Sequence, residues 1–254
     1  MISSIWHTVV YNPLYNGIIF LADILPWADL GVIIILFTLI IKFALAPIAF
    51  KGIKTQQALK KITPELDKIK KKFKDDKQQQ AVATMDLYKE HNIKPFSGIL
   101  LMFIQIPILL ALYFIFLKGG LPEVNTNILY SFVKVPAQIK IIFLGMINLT
   151  QKSLLLGILT GLTQFVHTRL TLGKHINEPK QKNVSIKDDF MRTMKLQMRF
   201  VLPVVFGFIA YSLSAGIALY WTTSNIFHIV QELYVTRRAQ KEENLNNKAL
   251  PTGV

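Results

Sequence analysis

A single lysine inside a long apolar run is the first place where this sequence could do chemistry. Lys42 lies in Leu30–Phe50, a run of 21 residues with no other charge. A charge inside a membrane-spanning helix is costly and usually faces a protein interior or a water-filled cavity. Lys42 is 8 residues from Phe50, roughly 12 Å along a helix, so its stem could also reach the interface by snorkelling. The ammonium would attract an acidic group on a substrate.

Other apolar runs contain amide and hydroxyl side chains at comparable depth. Such groups either hydrogen-bond helices together or line a hydrated groove, and both readings stay open. No carboxylate lies deep in any run, so we expect Lys42 to have no ion partner and to face a hydrated concavity. The same absence disfavours a proton-coupled or sodium-coupled transporter. The candidate groove residues beside Lys42 are Thr38, Gln105, Gln164, Ser224 and Asn225.

Known catalytic motifs are absent from the sequence. It has no phosphate-binding Gly-Lys loop, no Gly-x-Ser-x-Gly elbow and no dinucleotide fingerprint. It has no cysteine, its five histidines are scattered, and we expect His167 and His228 to pack rather than to bind metal. The sequence therefore predicts a protein that is not an enzyme, with no catalytic residue, metal or cofactor. The partitioning of a client's apolar segment into the membrane could still supply energy for any work that the protein does, because it requires no motif.

Composition indicates an integral membrane protein. The 254 residues are 52% hydrophobic, with a mean hydropathy of +0.38, yet they contain 29 Lys and Arg against 15 Asp and Glu. Unbroken apolar runs of about 20 residues match the thickness of a bilayer core. We therefore expect an all-α membrane protein with five transmembrane helices.

The predicted domain organisation follows from these runs and the polar segments between them. The block 200–235 is too long for one crossing, and Ser214-Ala215-Gly216 supplies a turn. The predicted spans are TM1 30–50, TM2 96–117, TM3 154–170, TM4 200–213 and TM5 217–235. They are joined by an outer-surface interfacial segment 1–29, a cytoplasmic helical hairpin 51–95, an outer loop with an interfacial segment 118–153, a cytoplasmic loop 171–199 and a short cytoplasmic tail 236–254.

Basic residues predict the orientation, because cytoplasmic loops carry an excess of Lys and Arg. Of the 29 basic residues, 24 fall in the segments 51–95, 169–199 and 232–254. The N-terminus is thus expected outside and the C-terminus in the cytoplasm. The net charge of +14 indicates topology rather than sequence-specific binding of nucleic acid. With no transit peptide in front, a bacterial inner (plasma) membrane is favoured over an organelle.

Two outer segments are too short or too interrupted to span. Ile18–Leu25 is broken by Pro and Asp residues nearby and lacks the features of a signal peptide. We expect a helix along the outer surface with Trp6, Tyr11, Tyr15 and Trp27 at headgroup depth. Ile139–Leu149 is expected to be an outer interfacial segment or a partly buried extension of TM3.

The polar insert 51–95 has an apolar stripe at helical spacing. Thr63-Pro64-Glu65 fits a helix N-cap followed by proline. The segment is expected to form an antiparallel helical hairpin, either a solvated stalk or an arm that meets anionic lipids, a ribosome or an emerging polypeptide. The first helix of this hairpin is marked by Leu59, Ile62, Leu66, Ile69 and Phe73, and the second by Val82, Met85 and Tyr88.

Several ordered polar and proline positions match a known family. Over nearly all of Asp29–Arg238, the chain resembles the YidC/Oxa/Albino family of membrane protein insertases. The matching segments are Thr38-Leu39-Ile40-Ile41-Lys42 with Pro47, Asp75-Asp76-Lys77-Gln78, Leu87-Tyr88-Lys89, Lys94-Pro95-Phe96-Ser97-Gly98, Ile104-Gln105-Ile106-Pro107-Ile108, Gly161-Leu162-Thr163-Gln164-Phe165 and Ala215–Trp221 with Ser224-Asn225.

The resemblance implies a five-span core with a cytoplasmic hairpin, enclosing a hydrophilic groove open to the cytoplasm and the lipid. The family's groove carries a positive residue on the first span, usually Arg, and Lys42 occupies that position here. Family positions near the groove correspond to Thr38 and Trp221. Nascent membrane proteins are the implied partners. Any ribosome contact would fall to 51–95 and 171–199, and work beside the Sec translocon stays open.

The function expected from residues and resemblance together is that of a membrane protein insertase and chaperone. Its groove would receive the hydrophilic flank of a client while the apolar helix partitions into lipid, without nucleotide hydrolysis. The alternatives are a small transporter or channel that uses the polar groove, and a non-inserting scaffold for membrane protein assembly.

Overall fold

The chain is mostly helical in the computed structural model, which describes residues 5–94, 97–118, 121, 123–172, 193–194 and 196–249. The α-helices are α1 Asn12–Ile24, α2 Leu30–Lys61, α3 Thr63–Lys72, α4 Lys77–Glu90, α5 Ser97–Lys118, α6 Leu154–Leu172, α7 Leu202–Ser212 and α8 Ala215–Ala249. His7–Tyr11 and Gln197–Val201 are π-helical, Thr126–Ile128 is a 3₁₀ turn, and β1 Ile142–Phe143 pairs with β2 Ile147–Asn148.

The chain divides into two compact units. The first comprises Met1–Ala44 and Ile104–Ile229, and the second comprises Leu45–Phe103 and Val230–Val254. The predicted loop 171–199 lies mostly outside the described residues, as do Pro95 and Phe96 at the predicted start of TM2.

Within the described residues, α2 is the one helix long and apolar enough to cross a membrane. Its most apolar 18-residue window has a mean hydropathy of 2.6, and 33% of that window is buried. Phe103–Phe116 and Gln197–Ser212 are shorter apolar segments. The number of spans therefore stays a prediction.

In the first unit, the long loop before α6 closes the N-terminal ends of two helices. The first N–H groups of a helix have no partner inside it. Leu30 N donates to Lys140 O at 2.8 Å, and Ala215 N donates to Gln151 O at 2.7 Å. Asp29 Oδ1 accepts from two backbone N–H groups of the first turn of α2. The starts of α2 and α8 are thus both fastened to this loop.

The same loop contains a small β-hairpin that the sequence reading missed. Ile142 pairs with Asn148 and Phe143 with Ile147, in antiparallel register. The tip has two left-handed residues, Leu144 with φ 51° and Gly145 with φ 71°. The expectation of an outer interfacial segment or a helical extension over Ile139–Leu149 did not include a strand pair, because pairing depends on hydrogen bonds across the turn.

The N-terminal helical segment, His7–Tyr11 and α1, buries two of the aromatic residues that were expected at headgroup depth. Tyr15 is fully buried and Tyr11 is 9% exposed, so both side chains pack against protein, and their depth in the membrane stays a prediction. Tyr15 Oη accepts from Asn125 N at 2.7 Å, and burial raises the pKa of the Tyr15 hydroxyl. Asn16 is also buried and donates to Ile128 O at 2.8 Å. By contrast, Trp27 is 68% exposed.

Helices α6 and α7 approach closely where three glycines face each other. A Cβ at Gly157 would lie 2.8 Å from Tyr211 Cβ, and one at Gly161 would lie 3.4 Å from Gly207 Cα. Small residues allow such backbone contact between apolar helices, where dispersion replaces the hydrophobic effect as the driving force. Helix α7 ends at Ser212 and α8 begins at Ala215, so the helical structure is interrupted at Leu213 and Ser214.

In the second unit, α3 and α4 pack as an antiparallel pair. His91 Nε2 at the end of α4 lies 3.4 Å from Glu65 Oε2 at the start of α3. The Asp76 carboxylate caps α4 by accepting from Gln79 N at 2.9 Å. A small core contains Ile62, Leu87 and Ile93, packed against Ala58, Leu59, Leu66, Ile69 and Tyr88.

One detail of the predicted hairpin is wrong. Thr63 does not cap α3, because its hydroxyl donates to Leu59 O at 3.0 Å and Ile62 occupies the cap position. Val82, Met85 and Tyr88 lie in α4, the second helix of the pair. Val82 and Met85 are 58% and 46% exposed, and Leu87 is the buried residue of the helix.

Candidate functional site

Lys42 lies in the first unit, on helix α2, and is only 3% exposed. Its Nζ donates to Gln105 Oε1 of α5 at 2.8 Å and lies 3.1 Å from His228 Nε2 of α8. An ammonium group has only donors, so His228 accepts with Nε2 and is the neutral imidazole in this arrangement. The sequence predicted no ionic partner for Lys42, and the two partners found here are neutral side chains that the sequence did not indicate.

Gln105 links the lysine to a buried phenol. Its Nε2 donates to Tyr220 Oη at 2.6 Å, while its Oε1 accepts from Lys42. Tyr220 is 1% exposed, and a buried phenol usually needs such a partner. The amide therefore uses both of its ends, and it orders three helices around the ammonium.

His228 extends the cluster on the other side of Lys42. Its ring stacks on His167 of α6, with centroids 5.3 Å apart and planes at 17°. Both histidines were expected to be packing residues, and their position beside Lys42 was not predicted. The sequence did indicate that His228 shares a helix face with the candidate residue Ser224, because it lies one helical turn after it. No group of three or more metal-ligating side chains occurs among the residues that the structure describes.

A second polar seam joins α6 to α8. The buried hydroxyls of Thr160 and Thr222 lie 2.9 Å apart. Asn225 Nδ2 donates to Thr163 Oγ1 at 3.2 Å, and Asn225 is 3% exposed. These bonds hold two helices together, which is the structural reading that the sequence left open for Asn225.

Among the described hydrogen bonds, those of the remaining candidate residues go to groups other than Lys42. Thr38 is fully buried, and its hydroxyl donates to Ile34 O of its own helix at 2.6 Å. Gln164 donates to Thr168 within α6 at 3.4 Å. Trp221 packs edge-on against Phe206, with centroids 4.9 Å apart. Ser224 is buried at 3% exposure, one turn after Tyr220. Within the predicted set, the hydrogen bond that the structure describes joins Lys42 and Gln105.

Chemically, the cluster is a cation held by neutral dipoles. Within the described part of the chain, no carboxylate pairs with Lys42. A charge removed from water is only partly compensated by an amide and an imidazole, whereas a carboxylate would offset more of the loss.

Among the described residues, α2 has the length and apolar composition that a membrane crossing requires, and sequence comparison specifies the class of protein. The family described as "60Kd inner membrane protein" matches residues 20–243. This chain belongs to that family of inner-membrane proteins.

Individual relatives agree with the family match. The chain is 30% identical to "Membrane protein insertase YidC" of Fusobacterium nucleatum over 234 residues, 90% of this chain and 98% of the relative. It is 30% identical to the protein of the same name from Oceanobacillus iheyensis, covering 92% and 84% of the two chains. The Wolinella succinogenes relative is 29% identical, and the chain spans only 36% of its length. The resemblance found in the sequence is thereby confirmed.

Proposed function

We propose that this protein inserts transmembrane segments of client proteins into the membrane and assists their folding. Family membership supports the activity, because its relatives are named membrane protein insertases. The observation that carries the mechanism is Lys42, a buried cation whose partners are Gln105 and His228 rather than a carboxylate. The clients are nascent membrane proteins.

The proposed role of Lys42 is to receive the hydrophilic flank of a client. The amide and the imidazole hold the ammonium while no client is bound. An acidic residue of the flank then replaces one of them, because a carboxylate offsets more of the cost of burying the charge. The polar cluster thereby shortens the apolar distance that the flank has to cross.

Partitioning of the client's own apolar helix drives the reaction in this proposal. A segment of about 20 apolar residues gains a few tenths of a kcal/mol for each favourable residue. Nucleotide hydrolysis is not needed for such a step. The exposed apolar side chains of α6, which include Leu154, Ile158 and Leu162, offer a path along which the client helix contacts protein and lipid together.

The proposed topology has five spans, with the N-terminus outside and the C-terminus in the cytoplasm. In this arrangement α3 and α4 form the cytoplasmic hairpin, where ribosome and anionic lipid contacts would fall. The basic residues of this segment support the orientation, since 12 of them lie in 51–95. The start of α2 then lies at the outer surface.

Reconstitution into liposomes tests the proposal most directly. Purified protein is incorporated into vesicles of defined phospholipid. A one-span client with an acidic flank is synthesised in the presence of these vesicles, and no further nucleotide is added once synthesis has ended. We expect the client to become protease-protected and alkali-resistant well above the level of empty vesicles. Client binding without protection would instead indicate a scaffold, and solute flux without client would indicate a channel; either result contradicts insertion as the activity.

Cellular complementation gives an independent check. A bacterium depleted of its own insertase receives this gene, and expression is verified in the membrane fraction. Restored insertion of small one-span and two-span clients is the expected result. A protein that is expressed but fails to restore them would count against the proposed function.

A further inference from the structure

The β-hairpin tip in the first unit exposes apolar side chains that its core does not use. Leu144 is 69% exposed and Met146 is 84% exposed, and Ile142 on the preceding strand is 49% exposed. Leu144 and Met146 lie in the turn between the two strands, whereas Ile142 lies in β1. Phe143, between Ile142 and Leu144, packs on Gly31, where an added Cβ would overlap the phenyl ring.

The backbone conformation at position 144 is unfavourable for leucine, so the stability of the fold does not explain this residue. Leu144 has φ 51°, a left-handed conformation that is uncommon for bulky residues and favours Gly, Asn or Asp. In water, a polar Asn would relieve both the strain and the exposure. A strained and exposed leucine therefore points to a role outside the fold.

The tip is held in place rather than loosely attached. Leu144 N donates to Asp29 Oδ2 at 3.0 Å, while the other oxygen of Asp29 caps α2 through Gly31 N at 2.9 Å. Trp27, two residues before Asp29, is 68% exposed. Two apolar elements therefore meet at the start of the helix that is long enough to cross a membrane.

We propose that this tip, Leu144–Met146 together with Trp27, inserts into the outer leaflet of the phospholipid bilayer at headgroup depth. Lys140, exposed two residues before β1, supplies a cation for lipid phosphates, as interfacial segments commonly do. This inference rests on the proposed topology, in which the start of α2 lies outside.

The occupant is lipid rather than a second protein copy, because the patch is small and ends in single protruding side chains. A stable interface between proteins needs a broad complementary surface, whereas an apolar wedge beside a tryptophan is typical of shallow membrane contact.

The absence of cysteine from the chain makes the test specific. Leu144→Cys and Met146→Cys each receive a nitroxide spin label in the full-length protein, reconstituted in phosphatidylethanolamine–phosphatidylglycerol vesicles. Glu123→Cys, an exposed acidic position in the same loop, is the matched control. We expect labels at 144 and 146 to collide more with oxygen and less with an aqueous nickel chelate than the label at 123. Equal accessibility at the three positions would overturn the proposal.

A second variant separates lipid contact from folding. Leu144→Asn, with the label at position 146, should unfold at the same or a higher temperature and should lose part of the depth signal. An unchanged depth signal would contradict a role for Leu144. Dipolar broadening that disappears on dilution with unlabelled protein would show that a second copy covers the tip, which also overturns the lipid proposal.

The depth measurement does not depend on client insertion. If the labels are shallow in lipid but vesicles fail to insert clients, the proposed function fails and the membrane contact stands. If clients are inserted while the tip stays in water, only the present inference fails.

Discussion

Two lysines of helix α2 have opposite kinds of partner. Lys42, in the first unit, is 3% exposed and contacts the neutral Gln105 and His228. Lys60, in the second unit, forms an ion pair with Glu232 at 3.6 Å, with side chains 27% and 5% exposed. A carboxylate partner fixes a buried charge inside the fold, whereas neutral partners leave the charge available to an incoming anion. The difference separates a structural cation from a candidate client-binding cation.

Charge reversal at Lys42 should give the largest effect on activity. Lys42→Glu is expected to lower insertion of a client with an acidic flank about tenfold or more, because like charges placed together cost several kcal/mol. The measurement is the protected fraction of client in proteoliposomes. Lys70→Glu is the matched control, since Lys70 is an exposed lysine paired at 3.4 Å with Asp67.

The client supplies the second control for that variant. A client with a neutral flank should be inserted by Lys42→Glu about as well as by the wild type. If both clients are lost equally, the effect comes from folding rather than from the charge, and the contrast with Lys60 would lose its functional meaning.

Removing the charge at Lys60 should chiefly affect stability. Lys60→Met leaves Glu232 buried without its partner, and we expect the free energy of unfolding to fall by about 1–2 kcal/mol, less than for a fully buried pair because Lys60 is partly exposed. Reversible denaturation in detergent measures it. The double variant with Glu232→Gln should recover part of the loss; a double variant no better than the single one would argue against the ion pair.

The same replacement at Lys42 should behave differently. Lys42→Met removes a buried charge but leaves Gln105 and His228 each short of one hydrogen bond, and these opposing effects should keep the change in unfolding free energy within about 1 kcal/mol. Insertion of the acidic client should nevertheless fall. A stability loss as large as that of Lys60→Met would mean that Lys42 is structural after all.

The smallest effect is expected for Lys42→Arg. Guanidinium keeps the positive charge and can still donate to Gln105, so insertion of the acidic client should stay within about twofold of the wild type. Comparison with Lys42→Met in the same vesicles isolates the charge from the side-chain volume. Activity of the Arg variant as low as that of the Met variant would show that shape, not charge, matters at this position.

Part of this cluster could be predicted from the sequence alone. Helical rise converts a distance along the chain into depth, and both Lys42 and Gln105 lie 8 or more residues inside their apolar runs. The structure places their side chains 2.8 Å apart. The groove that they are proposed to line stays a prediction.

The other partners could not be predicted, because an almost uniformly apolar sequence gives little indication of which face of a helix turns toward its neighbours. His228 reaches Lys42, and Tyr220 reaches Gln105, only after α8 has packed against its neighbours. Tyr15 has the composition of an interfacial aromatic, but a hydrogen bond from Asn125, 110 residues away, accompanies its burial. Contacts of that range depend on tertiary packing and not on local pattern.

Asp29 also sets an order of events during synthesis. Its first oxygen can cap α2 as soon as the helix forms, but its second oxygen binds Leu144 N, 115 residues later in the chain. At about 5–20 residues per second, roughly 6 to 23 seconds pass before that partner leaves the ribosomal active centre. During this interval only the first oxygen of the Asp29 carboxylate can hold its partners in α2. The outer loop therefore completes the N-terminal end of the helix long after the helix itself was made.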